Sequence, residues 1–474
     1  MRSKRKTLIS VIVCLVVVLA ILMGVVAVLF STDLFGTEST GHTQSQTTLP
    51  TPTQTTSTTQ STTSQTELPT TESTAPPVYK LGTATIAAVG DVLMHMPVVN
   101  TAQVTDGNYD FANIFTYFRD YVGAVDYAVA NLETTLAGHD HLNNDGTVGY
   151  HGQYEFNSPD GIVSSLQAAG FDMLLTANNH SYDTRAKGFY RTQQIIQSFG
   201  LDHLGTVDSL QMPLWQVREI NGIRIGMICY TYDTNEDPEK VALNGIPMSS
   251  ETAALIGTFS YSQLDIFYEQ VQAQIAEMEA AGAEAVMLYI HWGEEYKTQQ
   301  NSTQSAMAQK LCDLGVDVIV GGHPHVVQPV ELLTSTTDEN HKTVCIYSLG
   351  NIVSNQRIEH MKLKTGHTED GAFFSVTFAK YSDGTVILEA VSVLPTWVDL
   401  HYNRETGKNV YSILPLDGNV ADWQTAFQLS DSRYEQALAS YDRTMAIVGE
   451  GLESVNGYLT WLVADTEARL GINE

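Results

Sequence analysis

Short apolar runs alternate with longer amphipathic segments along the chain from residue 80 to about residue 400. Uninterrupted apolar runs of about four to eight residues, bounded by Gly, Asn or Asp, are typical of buried strands. On this basis we predict strands over residues 83–89, 126–130, 173–176, 285–290, 316–320 and 344–347.

Segments in which apolar residues recur about every three or four positions separate these strands, and this spacing predicts helices. We predict helices over residues 159–169, 188–199, 262–282 and 303–314, and another from residue 432 onward. Two runs at 372–379 and 386–393, joined through Asp383-Gly384, add an antiparallel pair. Strands that alternate with helices form mostly parallel sheets covered by helices. The pattern therefore predicts an α/β fold with a mostly parallel sheet to which an antiparallel pair is added.

An apolar run spans residues 8–30 and directly follows a basic segment that contains Arg2, Lys4, Arg5 and Lys6. A run of this length can cross a bilayer as one helix, and flanking basic residues favour the cytoplasmic side. We therefore predict a cytoplasmic segment at residues 1–7, one transmembrane helix at residues 8–30 and a body outside the membrane. A cleaved secretory signal is the alternative, and it also places the body outside.

Residues 31–77 consist almost entirely of Thr, Ser, Gln and Pro. Such a segment buries too little apolar surface to offset its chain entropy, so we predict a disordered linker. It resembles the wall-crossing spacers of surface proteins in Gram-positive bacteria. A main domain is predicted at residues 80–400 and a C-terminal helical extension at residues 401–474.

The formal net charge is −29, and several of the few basic residues precede the predicted membrane helix. The body is therefore strongly acidic, which disfavours nucleic acid as a partner. The four cysteines include no CxxC pair, and Cys229, Cys312 and Cys345 lie in apolar patterns. They are predicted to be buried free thiols rather than parts of a disulfide framework.

Residues 318–329 read V-I-V-G-G-H-P-H-V-V-Q-P and carry two histidines directly after a predicted buried strand. Gly321 and Gly322 allow a sharp turn and a close approach of the backbone. Because a residue before proline favours extended backbone, we expect His323 to be extended and to point into the same cavity as His325. The carboxyl end of a buried strand is where α/β sheets place ligand sites.

Four further predicted strands end in polar side chains, and we expect these ends to converge at one edge of the sheet. The side chains are Asp91, Glu133, Asn179, His180 and His291. Two carboxylates, an amide and several imidazoles suit first-row transition metals better than Ca²⁺ alone. Since ligands from distant loops can hold a metal pair that clamps a phosphoryl oxygen, we predict one or two divalent ions, Mn²⁺, Fe²⁺ or Zn²⁺.

Six short motifs occur in order along the chain. They are Gly90-Asp91, N-L-E at 131–133, A-N-N-H at 177–180, H-W-G-E-E-Y at 291–296, G-G-H-P-H at 321–325 and S-L-G-N at 348–351. In these motifs the sequence resembles the poly-γ-glutamate capsule-synthesis proteins, the CapA family, which is similar in turn to the calcineurin-like metallophosphoesterases. The resemblance covers roughly residues 83–354 and implies the fold class, a metallophosphoesterase-like α/β sandwich with central mixed sheets.

The resemblance also implies a set of metal ligands. They are Asp91, Glu133, Asn179, His291, His323 and His325. Among them, Glu133 stands where the wider superfamily has a bridging Asp. The wider superfamily has D-x-H in its first motif, whereas this chain reads Asp91-Val92-Leu93, so one metal site lacks an imidazole.

Three further residues are placed near the reaction by the resemblance. His180 would protonate the leaving group or stabilise the transition state, while Asp183 and Glu295 would orient imidazoles. A solvated loop carboxylate is an equal alternative for either acid. For His95, four residues after Asp91, a structural role is favoured over a functional one.

The function implied by the resemblance is the making, export or attachment of a poly-γ-glutamate capsule, by metal-assisted hydrolysis or transfer. The expected partners are the cell membrane, poly-γ-glutamate and membrane synthase subunits. Two alternatives stay open, because the same ligands serve hydrolysis and binding. They are a non-catalytic accessory subunit of a synthase complex and a general surface metallophosphoesterase.

The charge pattern around residues 8–30 predicts that the body lies outside the membrane. Protease added to intact, wall-stripped cells should release the body, which an immunoblot of the supernatant would detect. A body that stays protected until the membrane is broken would contradict this topology.

Overall fold

Two β-sheets lie face to face in this protein, and helices cover the outer face of each. The computed structural model describes residues 77–105, 107–235, 240–404 and 406–472. The strands in these ranges are β1 Lys80–Val92, β2 Gln103–Thr105, β3 Asn108–Tyr109, β4 Tyr127–Leu132, β5 His151–Gln153, β6 Glu155–Asn157, β7 Met173–Leu175, β8 Asp202–Leu204, β9 Trp215–Ile220, β10 Ile223–Tyr232, β11 Ala242–Leu243, β12 Ile246–Pro247, β13 Thr258–Phe259, β14 Ala285–His291, β15 Val318–Gly322, β16 Val330–Thr334, β17 Lys342–Ile346, β18 Asn351–Val353, β19 Asp370–Tyr381, β20 Val386–Asn403 and β21 Lys408–Pro415.

Helices lie in several of the connections between these strands and after the last strand. The α-helices are α1 Met96–Thr101, α2 Arg119–Val122, α3 Gly161–Ala169, α4 Arg185–Ser198, α5 Ser250–Ala253, α6 Leu264–Ala280, α7 Ser302–Asp313, α8 Trp423–Ala426 and α9 Asp431–Leu470. Short 3₁₀ turns lie at Ala112–Phe115, His367–Glu369 and Val420–Asp422.

Both sheets combine parallel and antiparallel pairs. The first has the order β21-β20-β19-β1-β4-β7-β8, with β18 also on β1. In it β1, β4, β7 and β8 run parallel, whereas β19, β20 and β21 are antiparallel additions. The second has the order β13-β10-β14-β15-β17-β16, with β9 antiparallel on β10. The predicted α/β class with central mixed sheets is therefore confirmed.

Strand alternation explains why the sheets stack. Ala84, Ile86 and Ala88 of β1 pack against the second sheet, whereas Ala87 and Val89 pack against the outer helices. Successive side chains of a strand point to opposite faces, so a strand buried on both faces is apolar throughout. β14 divides its residues between the inner and outer clusters in the same way.

The dipeptide Asn221-Gly222 predicts a type I′ hairpin turn from the sequence alone. The turn is confirmed between β9 and β10, because both residues have positive φ, at 49° and 81°. The predicted cytoplasmic segment, the membrane helix and the linker up to residue 76 lie outside the described residues. Among helices within the described ranges, none has the length and apolarity needed to cross a bilayer. The three cysteines predicted to be free thiols are buried and unpaired.

Helix α9 packs across β16, β19 and β20. Its Arg443 donates to Asp370 at the start of β19 over 2.6 and 2.7 Å. Near the other end of α9, Glu467 accepts a 3.4 Å hydrogen bond from Tyr381, whose strand partner is Lys80. The domain boundary predicted near residue 400 falls inside β20, and β21 extends the same sheet.

Gly451 lies where α9 touches β16, and a Cβ there would stand 1.8 Å from the Val330 carbonyl oxygen. Gly451→Ala should therefore push the helix off the strand and lower the free energy of unfolding by about 1–3 kcal/mol. Gly449→Ala is the matched control, because a Cβ there meets nothing within 4 Å. It should raise stability by up to about 1 kcal/mol through helix propensity. Urea unfolding of the two variants measures both changes, and equal effects would contradict the packing described here.

Candidate metal centre

Polar side chains from both sheets meet at one end of the sandwich, where the parallel strands have their carboxyl ends. The first sheet supplies Asp91, Glu133 and Asn179, and the second supplies His291, His323 and His325. The prediction that all of them converge at the edge of one sheet is therefore wrong. The centre instead lies across the ends of two facing sheets.

A β-bulge sets the position of Asp91. The strand predicted to end before Gly90 continues past it, and its register with β4 shifts directly before Asp91. Only glycine fits at the bulge, since a Cβ on Gly90 would lie 1.9 Å from the Gly350 carbonyl oxygen. Bulges re-aim the following side chain. Asp91 is then flanked in register by Asn131 on β4 and by Asn351 on β18.

Hydrogen bonds fix Asp91 and His325 relative to each other. Asn131 Nδ2 donates to Asp91 Oδ1 over 2.7 Å. His325 Nδ1 lies 3.0 Å from Asp91 Oδ2 and 3.1 Å from Asn351 Oδ1. Both neighbours are acceptors, so Nδ1 carries the proton and the Nε2 lone pair is left for a metal ion.

Glu133 follows β4 directly and is fully buried. Within the described part of the chain, neither of its carboxylate oxygens accepts a hydrogen bond from a donor group. Three imidazole nitrogens surround Oε1 instead, His291 Nε2 at 3.5 Å and the Nε2 atoms of His180 and His325 at 3.8 Å. A buried carboxylate without a donor is unstable unless a cation completes the site.

The loop after β15 holds its two histidines in a strained backbone conformation. His323 has φ 97° and His325 has φ 57°, a region that residues other than glycine rarely adopt. The expectation that Pro324 keeps His323 extended is therefore wrong. A Cβ on Gly322 would lie 3.3 Å from Asp91 Oδ1, so the glycine leaves the space between the two sheets open.

A second group of donor atoms lies beside Glu133. His291 Nε2 is 2.8 Å from Asn179 Oδ1, and the rings of His291 and His323 are 4.9 Å apart. His323 Nδ1 is buried and has no hydrogen-bond partner among the described residues. On the other side of that ring, the Tyr232 hydroxyl lies 3.3 Å from Nε2.

His180 and Asp183 form a buried pair at the rim of the centre. His180 Nδ1 lies 2.7 Å from Asp183 Oδ2, which also accepts the Phe156 backbone N–H at 2.7 Å. Burial acts to lower the pKa of His180, but Asp183 and then Glu133 outweigh it and leave the pKa above its usual value. The pair can therefore hold a proton on His180 Nε2, the atom that faces Glu133.

The residues present fit a divalent cation. Asp91, Glu133 and His325 each offer an atom within 4.8 Å of the others, and these three residues could bind a metal ion. Asn179, His291 and His323 lie next to them, with Glu133 between the two groups. The unpartnered oxygens of Glu133 and the unpartnered nitrogen of His323 are the atoms that such an ion would satisfy.

The charges of the centre are strongly coupled. Burial acts to raise the pKa of Asp91, but the hydrogen bond and charge of His325 leave it below its usual value. Burial acts to lower the pKa of His325, but Glu133 and Asp91 raise it to about 9. Burial and the adjacent Asp91 raise the pKa of Glu133 well above its usual value. Without a cation the surroundings favour an Asp91–His325 ion pair and disfavour the charged form of Glu133, so a bound metal would favour the release of a proton from Glu133.

The structure also brings in residues that sequence reasoning missed, namely Asn131, Asn351 and Tyr232. Two of them stand in the motifs N-L-E and S-L-G-N, so the signal was present without a role attached. Asn351 Nδ2 also donates to the Thr368 carbonyl at 3.0 Å, and it thereby ties the centre to the loop before β19. Tyr232 belongs to none of the six motifs. It lies near His323 because it ends β10 and His323 directly follows β15.

Glu295 is exposed and hydrogen-bonds no imidazole among the described residues. It lies beside Tyr296 instead, and burial together with the Glu295 charge raises the pKa of that phenol. Tyr296 in turn packs 6.2 Å from His325, ring centre to ring centre. Of the two predicted orienting acids, the structure therefore brings Asp183 to an imidazole and leaves Glu295 at the surface.

Comparison with known proteins places these residues in a family context. Residues 85–356, more than half of the chain, match the family model described as "Bacterial capsule synthesis protein PGA_cap". All nine candidate site residues fall inside the matched range. The match confirms the resemblance stated from the six motifs.

Two named relatives agree with this match. The chain is 26% identical over 315 residues to "Capsule biosynthesis protein CapA" of Bacillus anthracis, covering 65% of this chain and 66% of that protein. It is 26% identical over 270 residues to "PGA biosynthesis protein CapA" of Bacillus subtilis, covering 56% of this chain and 62% of that protein. The chain thus spans less than two thirds of either relative. The sulfate thiohydrolase SoxB of Thermus thermophilus aligns with TM-score 0.34 and 14% identity, over 71% of this chain and 46% of SoxB.

We expect Glu133 to bind metal and, when no metal is bound, to lower the stability of the folded protein. Glu133→Leu should greatly reduce bound transition metal while raising the free energy of unfolding in EDTA by about 1–3 kcal/mol, because it removes a buried carboxyl group without a donor. Elemental analysis and urea unfolding measure the two effects.

Asp399→Leu is the control, because that buried carboxylate accepts hydrogen bonds from Arg433. It should lower stability by about 1–3 kcal/mol and leave metal content unchanged, since Arg433 loses its partner. A Glu133→Leu protein with normal metal content and reduced stability would contradict the site.

Proposed function

Because the chain belongs to the bacterial capsule synthesis protein family PGA_cap, we propose that it acts in the biosynthesis, export or anchoring of a poly-γ-glutamate capsule. The observation that carries a chemical role is the fully buried Glu133 carboxylate, which lies among imidazoles without a hydrogen-bond donor. A purely structural core position would not hold such a group. We propose that Glu133 is a metal ligand and that the protein is a metal-dependent hydrolase or transferase.

The proposed cofactor is one or two divalent transition metal ions, Mn²⁺, Fe²⁺ or Zn²⁺. Asp91, Glu133 and His325 would hold one ion, and Glu133, Asn179, His291 and His323 would hold a second. Such ions polarise an acyl or phosphoryl oxygen and lower the pKa of bound water. The mixed carboxylate, amide and imidazole donors favour these metals over Ca²⁺.

His180 supplies the proton chemistry in this proposal. Asp183 holds Nδ1 of the imidazole, so Nε2 is directed toward Glu133 and the mouth of the centre. A protonated Nε2 can donate to a leaving group, and the same atom without its proton can accept one. The reacting bond is proposed to be a phosphoryl, acyl or γ-amide bond, all of which need an oxygen stabilised and a proton supplied.

We also propose that the body works outside the membrane, anchored through residues 8–30, next to membrane synthase subunits. The basic segment ahead of residues 8–30 supports this placement. The net charge of −29 would repel a polyanion except at a cation site. Metal ions at the centre would reverse the local charge and admit the carboxylates of poly-γ-glutamate.

One observation favours a second candidate function, a metal-binding accessory subunit without catalysis. Leu93 stands where the wider superfamily places a first-motif imidazole, and it is buried. The ion held by Asp91 and His325 would therefore have one protein ligand fewer. A site that grips substrate carboxylates would not need the missing imidazole.

His180→Ala separates the two candidates. If the protein is a hydrolase or transferase, the variant should keep its metal and its fold and lose about 10²–10⁴-fold in rate. The expected result in cells is loss of capsule, measured by staining and by polymer release, with metal content measured on the purified variant.

Exposed His360 provides the matched control, since its side chain hydrogen-bonds no described residue. His360→Ala should leave capsule, metal and stability unchanged. A His180→Ala strain with a normal capsule and a metal-loaded protein would favour the accessory subunit.

A further inference from the structure

His95 is a half-buried imidazole beside the centre to which the roles above assign nothing. It follows β1 and forms the N-terminal boundary of α1 without capping that helix through its side chain. Its backbone is closely covered by the β5–β6 hairpin, because a Cβ on Gly152 would lie 2.6 Å from both Met94 O and Met96 N. The ring therefore has a fixed place.

One hydrogen bond determines the tautomer of His95. The backbone N–H of Asn355 donates to His95 Nδ1 over 3.2 Å. A backbone N–H can only donate, so Nδ1 carries no proton and the neutral ring must carry it on Nε2. Burial, followed by the charge of His325, lowers the pKa of His95 to about 4, so the ring stays neutral at ordinary pH.

The Nε2–H group of His95 has no hydrogen-bond partner in the described part of the chain. Among the described residues none hydrogen-bonds this atom, and it is not one of the fully buried polar atoms, so it faces open space. The His95 ring lies close to the centre, since Phe156 packs edge-on against both His95 and His180, at 5.3 and 4.6 Å between ring centres. The charges of His325 and His180 both lower the pKa of His95.

We infer that His95 is a ligand-contacting residue, whose Nε2–H donates a hydrogen bond to an anionic oxygen of the molecule bound at the metal centre. The oxygen belongs to a phosphate or to a carboxylate, which present the same acceptor chemistry. This inference rests on the proposed metal centre and adds to it a neutral donor that selects oxyanions. His95 is not a metal ligand in this arrangement, because Nε2 keeps its proton and Nδ1 is occupied by Asn355.

Two substitutions test the role of the donor. His95→Phe keeps the ring and its contact with Phe156 and removes the N–H group. His95→Gln keeps one donor and one acceptor at similar positions. His360→Phe is the matched control, since it makes the same change at an exposed position.

Binding of inorganic phosphate and of glutarate to the metal-loaded protein is measured by calorimetry, with metal content and melting temperature recorded for each variant. His95→Phe should keep its metal and bind the favoured anion about ten-fold more weakly. His95→Gln should stay within about two-fold of the parent, and His360→Phe should equal it. Which of the two anions the parent binds more tightly identifies the source of the oxygen.

Four outcomes would overturn the inference. Unchanged anion affinity in His95→Phe would show that Nε2–H contacts nothing bound. Loss of metal from His95→Phe would make His95 a metal ligand instead. A metal-loaded parent that binds neither anion would mean that no oxyanion pocket exists. A parent that holds no metal would refute the proposed function itself, and the inference with it.

Discussion

Burial of the Glu133 carboxylate beside Asp91 is the constraint on which the rest of this structure depends. Two carboxyl groups in a dry interior repel each other, and neither oxygen of Glu133 receives a hydrogen bond from the described residues. His325 neutralises Asp91, while the rings of His291 and His180 surround Glu133. A cation held by Asp91, Glu133 and His325 would offset this repulsion, which would couple the stability of the fold to the chemistry of the centre.

Close backbone contacts hold this unfavourable set of charges in place. Gly90 and Gly321 each lie against a backbone carbonyl oxygen of a neighbouring segment. A Cβ atom at either glycine would stand only 1.9 Å from that oxygen. The positive φ angles of His323 and His325 add strain of about 1–3 kcal/mol each. The large apolar clusters on both faces of each sheet supply the stability that offsets these local costs.

Local sequence signals predicted the secondary-structure elements and the candidate metal ligands. Apolar runs located most strands of the parallel regions, Asn221-Gly222 located the hairpin turn, and the motifs located the candidate ligands. The division into two sheets followed only from the family resemblance and not from the local pattern, because strand pairing depends on contacts between residues far apart, such as Asp91 with Asn351. The backbone at His323 was misjudged because tertiary packing overrides the preference of a residue before proline. His95 and Asn351 received no role, since a motif identifies a residue without giving the direction of its side chain.

The course of β1 determines which way the centre faces. The strand begins at Lys80, beside Tyr381 and the C-terminal end of α9, and it reaches Asp91 eleven residues later. At roughly 3.3 Å per residue, this places the centre about 35 Å from that pole of the domain. Both ends of the described chain therefore lie together at the pole opposite the centre. A contact made at this pole would therefore leave the opposite end of the sandwich, which carries the candidate metal centre, uncovered.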